Sequence, residues 1–216
     1  MKNLLYKELR LAIHPVALFM PLLGAMLLIP EYPYFIAFMY VFITIPIIFT
    51  VGKENKDVYF SVLLPVRKRD IVKARVITVI ALELLQIIIA VPFAMLNNQL
   101  YPYGNAMLMD ANLALFGFVF IMYAVFNLIF FTQFYKTAYK ISWPIALSGI
   151  FSVAFAVLIE FLVLKYPDLK HLLDTIDQEM LVRQIPILAA GIIIYALSAV
   201  VTYKKSAQRF EKLDVQ

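Results

Sequence analysis

The chain has 216 residues, of which 63% are hydrophobic and 15% charged, with a formal net charge of +5 and a mean hydropathy of +0.86. A soluble domain is about 45–50% apolar and about 25% charged, so this chain has too few polar side chains to cover a surface in water, and its composition indicates an integral membrane protein. The absence of cysteine excludes disulfides, thiolate metal sites and cysteine catalysis.

Residues 2–14 favour an amphipathic helix that lies flat at the membrane surface. Leu5, Leu9 and Ile13 share one helical stripe, and the basic residues lie largely off that stripe. Pro15 marks the bend into the first membrane-spanning helix. Two roles stay open for this elbow helix, because the pattern fits a simple anchor and also fits an element that moves during transport.

Apolar stretches close to bilayer length predict six transmembrane helices within a single domain, residues 1–216. Proline does not continue a helix comfortably, so the Pro-Glu-Tyr-Pro sequence at 30–33 predicts a tight turn between the first two helices. No repeat or low-complexity linker divides the chain. The predicted fold class is therefore all-α integral membrane. The predicted spans are approximately residues 15–30, 34–51, 76–96, 111–132, 143–164 and 186–203.

The distribution of lysine and arginine predicts the orientation of these spans. Most of the basic residues fall in the N-terminal segment, the stretch 52–75, the loop 136–140 and the C-terminal tail, which all lie on one side of a six-span chain. Cytoplasmic loops retain an excess of positive charge, so both termini are predicted to be cytoplasmic. The positive charge indicates attraction to anionic lipid rather than a nucleic-acid partner, since no RNA- or DNA-binding module is visible.

The connector Gly52–Arg75 is too polar to cross a membrane and too apolar for a solvated loop. Asp57 is placed to cap a short helix, Val58–Leu64, and Pro65 ends that helix. Three consecutive basic residues follow at 67–69. Apolar and basic side chains together indicate a docking surface for a partner. The alternative is a positive cluster beside an interfacial helix, which is common next to membrane spans.

Charged residues inside the predicted spans are few, and Glu83 is the most informative of them. Gln86 follows three residues later on the same helical face. A polar pair at this depth should face other helices or water, so it predicts a translocation path or a subunit interface. Simple packing of a protonated or snorkelling glutamate is the open alternative.

Two further features concern surfaces of the predicted bundle. Pro167 and Asp168 open a predicted amphipathic helix that ends near Leu181 and is expected to rest on the outer leaflet. It either caps a substrate exit or merely packs at the interface. The 18 phenylalanines and 13 tyrosines are expected mostly to face lipid or to form interfacial belts.

Motifs for catalysis on this chain are missing. A phosphate-binding loop needs G-x-x-x-x-G-K-[ST], but Gly52-Lys53 is followed by Glu54, and Ile47 stands where the first glycine belongs. The sequence contains no H-E-x-x-H or G-x-S-x-G motif. These observations predict a chain without enzymatic activity, without a cofactor and without a metal site of its own.

With these features in place, the sequence resembles the short six-span permease subunits of bacterial ABC-2 type transporters, whose ATPase is a separate polypeptide. The resemblance covers nearly the whole chain. It is carried by the opening LLYKELRLAIHP, by the order of the spans, and above all by DVYFSVLLPVRKRDIVKAR at 57–75, which is similar to the family's apolar-Leu-Pro, basic, Arg-Asp-Ile-Val run. Arg75 stands where the family more often has lysine.

The resemblance implies that the first cytoplasmic loop carries a coupling helix that sits in a cleft of the ATP-binding subunit. It implies that ATP and Mg²⁺ are bound by that partner and that two permeases, identical or related, flank one pathway. The positions implied in coupling are Asp57, Val58, Tyr59, Phe60, Val62, Leu63, Leu64, Arg67, Lys68, Arg69 and Asp70.

The predicted function is that of the permease subunit of an ATP-binding cassette exporter in the bacterial cytoplasmic membrane. Its substrate class, from the resemblance, is a hydrophobic or amphipathic compound such as a peptide, an antibiotic or a lipid-like molecule. Two alternatives stay open. One is a carrier or channel independent of ATP, with Glu83 as its ion-sensitive group, and the other is an immunity or sensor protein that binds cargo without transporting it.

Overall fold

A computed structural model describes residues 2–7, 15–56, 61, 66–105 and 108–213, with the backbone alone for residues 2, 3, 5, 15, 178 and 179. All regular secondary structure in these residues is helical, which confirms the predicted all-α fold. Residues 8–14 of the predicted elbow helix lie outside the described residues. The same holds for residues 57–60 and 62–65, which make up nearly all of the predicted coupling helix.

Two of the membrane-crossing helices are much longer than a bilayer requires. The described helices are α1 (Lys2–Lys7), α2 (Pro15–Phe19) with a 3₁₀ continuation (Met20–Leu28), α3 (Tyr34–Met39), α4 (Val41–Glu54), α5 (Lys68–Leu100), α6 (Leu113–Phe134), α7 (Ser142–Lys165), α8 (Pro167–Leu173) and α9 (Gln178–Glu211). The predicted third and sixth spans therefore lie within longer helices.

Five of the described helices are long and apolar enough to cross a membrane, counting Tyr34–Glu54 as one. The first predicted span is a shorter apolar helix, Val16–Leu28, most of which is 3₁₀ rather than α. A 3₁₀ helix rises about 2.0 Å per residue against about 1.5 Å for an α-helix. Residues 15–28 therefore extend roughly 26 Å, which brings a short segment close to the thickness of a hydrocarbon core of about 30 Å.

Helix α6 is the centre of the bundle, and its phenylalanines pack against α4. The Phe42 ring stacks on Phe126 with centroids 3.9 Å apart, and Phe49 meets Phe134 edge-on at 4.5 Å. The expectation that the aromatic rings mostly face lipid is wrong for phenylalanine, because α6 turns its rings towards neighbouring helices. The buried phenylalanines are Phe35, Phe38, Phe42, Phe49, Phe116, Phe120, Phe126, Phe130, Phe131, Phe134 and Phe210.

Helices α6 and α9 approach closely at Gly117 and Gly191. A Cβ added at Gly117 would lie 2.7 Å from the Ile187 carbonyl oxygen, and one added at Gly191 would collide with the Gly117 carbonyl oxygen. Only glycine permits this distance between the two backbones, as in the small-residue contacts of membrane helices. The crossing therefore fixes how α9 lies along α6.

Hydrogen bonds show that the two ends of the chain meet at one end of the bundle. Lys7 Nζ donates to Ser61 Oγ at 2.6 Å, and Lys68 Nζ donates to the Leu213 carbonyl oxygen at 2.6 Å. We call this the basic end, and the opposite one, where Asn105 Nδ2 donates to the Tyr32 carbonyl oxygen, the acidic end. Termini at one end agree with an even number of crossings, and their cytoplasmic placement stays a prediction.

Candidate coupling surface and buried polar site

At the basic end, the start of α5 is bonded to the end of α9. The Arg69 guanidinium donates to both carboxylate oxygens of Glu211, with Nε–Oε1 at 2.5 Å and Nη2–Oε2 at 3.0 Å. Besides its bond to Leu213, Lys68 lies 5.8 Å from the centroid of the Phe210 ring. Two of the basic residues implied in coupling therefore hold the C-terminal helix beside the loop.

The other described residues of the predicted coupling run differ in their surroundings. Arg67 is exposed and precedes the first turn of α5, where its carbonyl oxygen accepts the Asp70 N–H at 2.9 Å. Arg75 is buried, donates to the Ile48 carbonyl oxygen at 3.4 Å and lies 5.0 Å from the Phe49 ring centroid. Arg67 is thus exposed at the exit of the loop, where a partner can reach it, and the coupling role of residues 67–70 stays a prediction.

Glu83 lies in the middle of the bundle, between α5, α6 and α9, and its side chain is fully buried. Asn127 Nδ2 donates to both of its carboxylate oxygens, at 3.0 and 2.9 Å. The Tyr195 hydroxyl donates to Oε2. These donors are neutral, and no described lysine or arginine is paired with Glu83, so three helices meet on a carboxyl group without a cationic partner.

Gln86 continues this buried polar site one turn along α5. Its Nε2 donates to the Ala37 carbonyl oxygen at 2.9 Å, and its Oε1 accepts the Tyr123 hydroxyl at 2.6 Å. The structure thus brings Glu83 and Gln86 together on the face of α5 that packs inside the chain, with partners from α3, α6 and α9. A role of the pair in a pathway or a subunit interface stays a prediction.

The acidic end contains a site that the sequence analysis missed. The connection between α5 and α6 donates three backbone N–H groups to carboxylates. Asn105 N–H donates to Asp110 Oδ1 at 2.5 Å, Asp110 N–H to Asp174 Oδ1 at 2.8 Å, and Met109 N–H to Glu160 Oε2 at 3.1 Å. Since Asp174 and Glu160 come from other parts of the chain, these bonds hold the connection against α7 and α8.

Two amides complete the acidic end. Asn112 caps α6 by accepting the Leu115 N–H at 3.0 Å, and its Nδ2 donates to the carbonyl oxygens of Leu173 and Thr175 at 2.6 and 3.1 Å. Gln184 Nε2 also donates to the Thr175 carbonyl oxygen, at 3.2 Å. The prediction of one amphipathic helix after Pro167 is thus wrong in its continuity. Helix α8 ends at Leu173, a bend follows, and residues from Gln178 onwards belong to α9. Helix α8 and the bend are both bonded to the start of α6. Whether this segment opens as a cap stays a prediction.

Burial changes the acidity of two carboxyl groups in this site. Removal from water raises the pKa of Asp110 to about 6, with a smaller contribution from the nearby charge of Asp174 and an opposing one from the Asn105 N–H. Burial also raises the pKa of Asp174, against the opposing effects of the Asp110 N–H and the Lys170 ammonium group. Lys170 Nζ lies 4.0 Å from Asp174 Oδ2. A cavity of about 310 Å³ borders both aspartates.

Metal ligands are not grouped in the described part of the chain, where no three histidine, aspartate or glutamate residues are arranged to hold an ion.

The architecture is that of a multi-pass helical membrane protein with a buried polar centre and a basic end. A family model for the ABC-2 family transporter protein matches residues 3–206. Because this match covers nearly the whole chain, the chain belongs to the ABC-2 transporter family, as the sequence resemblance predicted.

Family membership makes this chain the permease component of an ABC transporter and implies an ABC ATPase as its partner. No curated protein and no solved structure matches the chain.

Proposed function

We propose that this chain is the permease subunit of an ABC exporter in the bacterial cytoplasmic membrane, with both termini in the cytoplasm. A separate ATPase subunit binds ATP and Mg²⁺ and docks at the basic end, and this chain has no catalytic activity of its own. The substrate is a hydrophobic or amphipathic compound. The observation that carries the proposal is the family match over residues 3–206. It is supported by the basic loop, whose exit at Lys68 and Arg69 is bonded to the C-terminal segment.

The bonds at the basic end give the proposal a mechanical basis. A coupling loop acts on the membrane helices only if its displacement changes their packing between two states. Here Lys68 and Arg69 bond the loop's exit to Leu213 and Glu211, and Glu83 joins α5 to α9 deeper in the bundle. Displacement of the loop by the ATPase therefore acts on α5 and α9 together.

A second permease completes the proposed assembly. The apolar surfaces of α7 and α9 are largely uncovered by the rest of the chain, with Phe151, Val157 and Leu197 each more than half exposed. Lipid or a neighbouring subunit covers such surfaces in a membrane. We assign part of this surface to a second copy or a related permease, because six helices rarely enclose a path for a large amphipathic molecule.

Substitution of Arg67 tests the docking role most directly, because its side chain is exposed and its loss leaves the contacts of Lys68 and Arg69 intact. Arg67→Glu is expected to reduce the amount of ATPase that is co-purified in mild detergent and to reduce transport. The matched control is Lys140→Glu, an exposed basic residue of the loop between α6 and α7. Full ATPase binding by Arg67→Glu would contradict docking at this loop.

Exchanging the charges of Arg69 and Glu211 distinguishes two roles of Arg69, which are direct contact with the ATPase and positioning of α9. Arg69→Glu alone is expected to weaken the coupling of ATP hydrolysis to transport. Arg69→Glu combined with Glu211→Arg restores the ion pair in reverse. Recovery of coupling in the double variant means that Arg69 acts by holding α9, whereas continued loss means that Arg69 itself contacts the ATPase.

A further inference from the structure

The bend between α8 and α9, residues 174–177, is bonded at the acidic end to the segment before α6, residues 108–112. The Asp110 N–H donates to Asp174 Oδ1 at 2.8 Å, and Asn112 Nδ2 donates to the Thr175 carbonyl oxygen at 3.1 Å. The first of these bonds joins two residues that each carry a carboxyl group. The contact between the bend and the segment before α6 therefore contains two groups that can become negatively charged.

Both carboxyl groups of this contact are buried. The Asn105 N–H donates to Asp110 Oδ1 at 2.5 Å and stabilises the carboxylate form. Burial opposes this effect and exceeds it, so that the pKa of Asp110 is raised to about 6, and the nearby charge of Asp174 adds to the rise. A negative charge on Asp110 is therefore more costly in this structure than it would be in water.

The other titratable groups around the two aspartates are mostly acidic. Those that face them from the described part of the chain are Tyr34 of α3, Tyr103 of the connection between α5 and α6, Glu160 of α7, Lys170 of α8 and Asp177 of the bend. Lys170 is the one cation in this set, and its ammonium group lies 4.0 Å from Asp174 Oδ2 on a half-exposed side chain. A single cation that is partly screened by solvent does not balance the ionised carboxylates.

A cavity of about 310 Å³ gives the two aspartates access to water. Asp110 and Asp174 border it, and so do the exposed residues Tyr103 and Asp177, so the cavity opens to the surface. One water molecule takes up about 30 Å³ of the liquid, so the cavity has room for several. A proton of Asp110 can therefore leave through this cavity without crossing the packed helices.

We propose that the α8–α9 bend is a latch controlled by the pH at the acidic end. The bend rests on the segment before α6 while the Asp110 carboxyl group keeps its proton, and it moves away once that group is ionised beside Asp174. In this step the carboxyl O–H bond breaks, the proton passes to water in the cavity, and the carboxylate gains hydration as the cavity widens. Return of the proton closes the latch. The bond from Asn112 to the Leu173 carbonyl oxygen contains no titratable group, so α8 stays in place.

The size of the effect follows from the two pKa values of Asp110. Once the latch is open and this carboxyl is hydrated, its pKa returns to the ordinary value of 3.8, against about 6 in the closed structure. Each unit of this difference is a factor of ten, so the ratio of open to closed molecules rises up to about 100-fold between about pH 4 and pH 6 and is constant above that. The bend leads directly into α9, so the latch links the pH at the acidic end to the position of that helix. It depends on neither the ATPase nor the substrate.

Pulsed electron paramagnetic resonance on the full chain in phosphatidylcholine vesicles tests the latch. The chain contains no cysteine, so spin labels attach only at the introduced positions Leu100→Cys and Ile176→Cys. Leu100 is exposed at the end of α5, which the bond from Asn98 to the Ala111 carbonyl oxygen holds beside α6, and Ile176 reports the bend. A longer distance between the labels is expected to gain population as the pH is raised from 4 to 6, with no further gain up to pH 7.5.

Asp110→Asn keeps an acceptor for the Asn105 N–H but cannot ionise, so its distances are expected to stay at their pH 4 values throughout. Asp177→Asn is the matched control, because Asp177 borders the same cavity but is exposed, and it should keep the full response. If Asp110→Asn does not fold, Asp174→Asn serves instead, and its response should be smaller and end at a lower pH. Distances in the unmodified chain that do not change with pH would overturn the proposal, and so would an undiminished response in Asp110→Asn or Asp174→Asn.

Discussion

The two ends of the bundle are held together by different kinds of bond. At the basic end, the paired side chains of Arg69 and Glu211 are 59% and 36% exposed. At the acidic end, the Asp174 side chain is 4% exposed, and Asp110 is similarly buried. Exposed ion pairs contribute little to stability, whereas groups that satisfy buried backbone N–H groups are costly to lose.

The difference shows how open each of these described sets of bonds is to a partner. Helices α5 to α9 are clamped together at the acidic end, while the described ion pair between Arg69 and Glu211 at the basic end is exposed, so a partner can replace it. If an ATPase acts on the helices from the basic end, the bonds at that end must be weaker than those at the acidic end. Helices bonded equally strongly at both ends would resist displacement at either one.

The largest expected loss of stability comes from a substitution at the close crossing of α6 and α9, in the half of the bundle next to the acidic end. Gly191→Ala places a methyl group against the Gly117 carbonyl oxygen, and overpacking against rigid backbone is expected to lower the free energy of unfolding by about 3 kcal/mol. The measurement is thermal unfolding in detergent. Gly149→Ala is the control, since no atom lies within 4 Å of a Cβ at that position on α7. Equal stability of the two variants would contradict the close crossing.

A second prediction concerns the pH dependence of the acidic end. The folded chain raises the pKa of Asp110 from 3.8 to about 6, so the folded state binds this proton more tightly than the unfolded chain does. The resulting stabilisation is complete below about pH 4 and disappears as the pH rises through about 6. Asp110→Asn removes the cost of the buried charge and is expected to raise the free energy of unfolding at pH 7.5 by roughly 2 kcal/mol.

The test of this second prediction is thermal unfolding measured across the pH range. In Asp110→Asn, the change in stability between about pH 4 and pH 6 should be smaller than in the unmodified chain. Asp177→Asn is the matched control, because Asp177 borders the same cavity but is exposed. A variant at Asp110 with an unchanged pH profile would show that this carboxyl is not the group that titrates.

A third prediction concerns the cap of α6. Asn112→Ala removes the acceptor for the Leu115 N–H and the donor to two carbonyl oxygens, so it is expected to cost about 2 kcal/mol of stability. Asn98→Ala removes one bond, to the Ala111 carbonyl oxygen, and should cost about 1 kcal/mol. Equal losses would mean that the cap adds nothing beyond a single hydrogen bond.

The smallest expected change in the free energy of unfolding comes from a substitution at the basic end. Glu211→Gln breaks the exposed pair with Arg69 and is expected to lower the free energy of unfolding by less than about 1 kcal/mol, with the loss disappearing at high salt. Thermal unfolding at low and high ionic strength measures both effects. A loss as large as that of Asn112→Ala would remove the contrast between the two ends.

Much of the fold was predictable, because the pattern of apolar residues depends on local sequence. Hydropathy located the spans, and prolines 30 and 33 located the first turn. The 3₁₀ segment was not predicted, since residues 20–28 are apolar in a way that fits either helix type. The burial of the phenylalanines was also missed, because hydropathy alone does not distinguish a ring that faces lipid from one that faces another helix.

The candidate site was predictable only in part. The depth of Glu83 in a span and its spacing from Gln86 are local features, so the sequence identified both residues. Their partners Asn127 and Tyr195 come from distant helices and were not identified. The bond between Arg69 and Glu211 joins residues 142 positions apart, and no local pattern indicates it. The carboxylates of the acidic end were missed for the same reason.

The 3₁₀ segment of the first span has a consequence for length. Nine residues, Met20–Leu28, are wound with a rise that exceeds the α-helical value by about 0.5 Å per residue. Rewinding them as an α-helix would shorten the segment by roughly 4–5 Å. The 3₁₀ winding thus lengthens the first span by nearly the pitch of one α-helical turn without adding a residue.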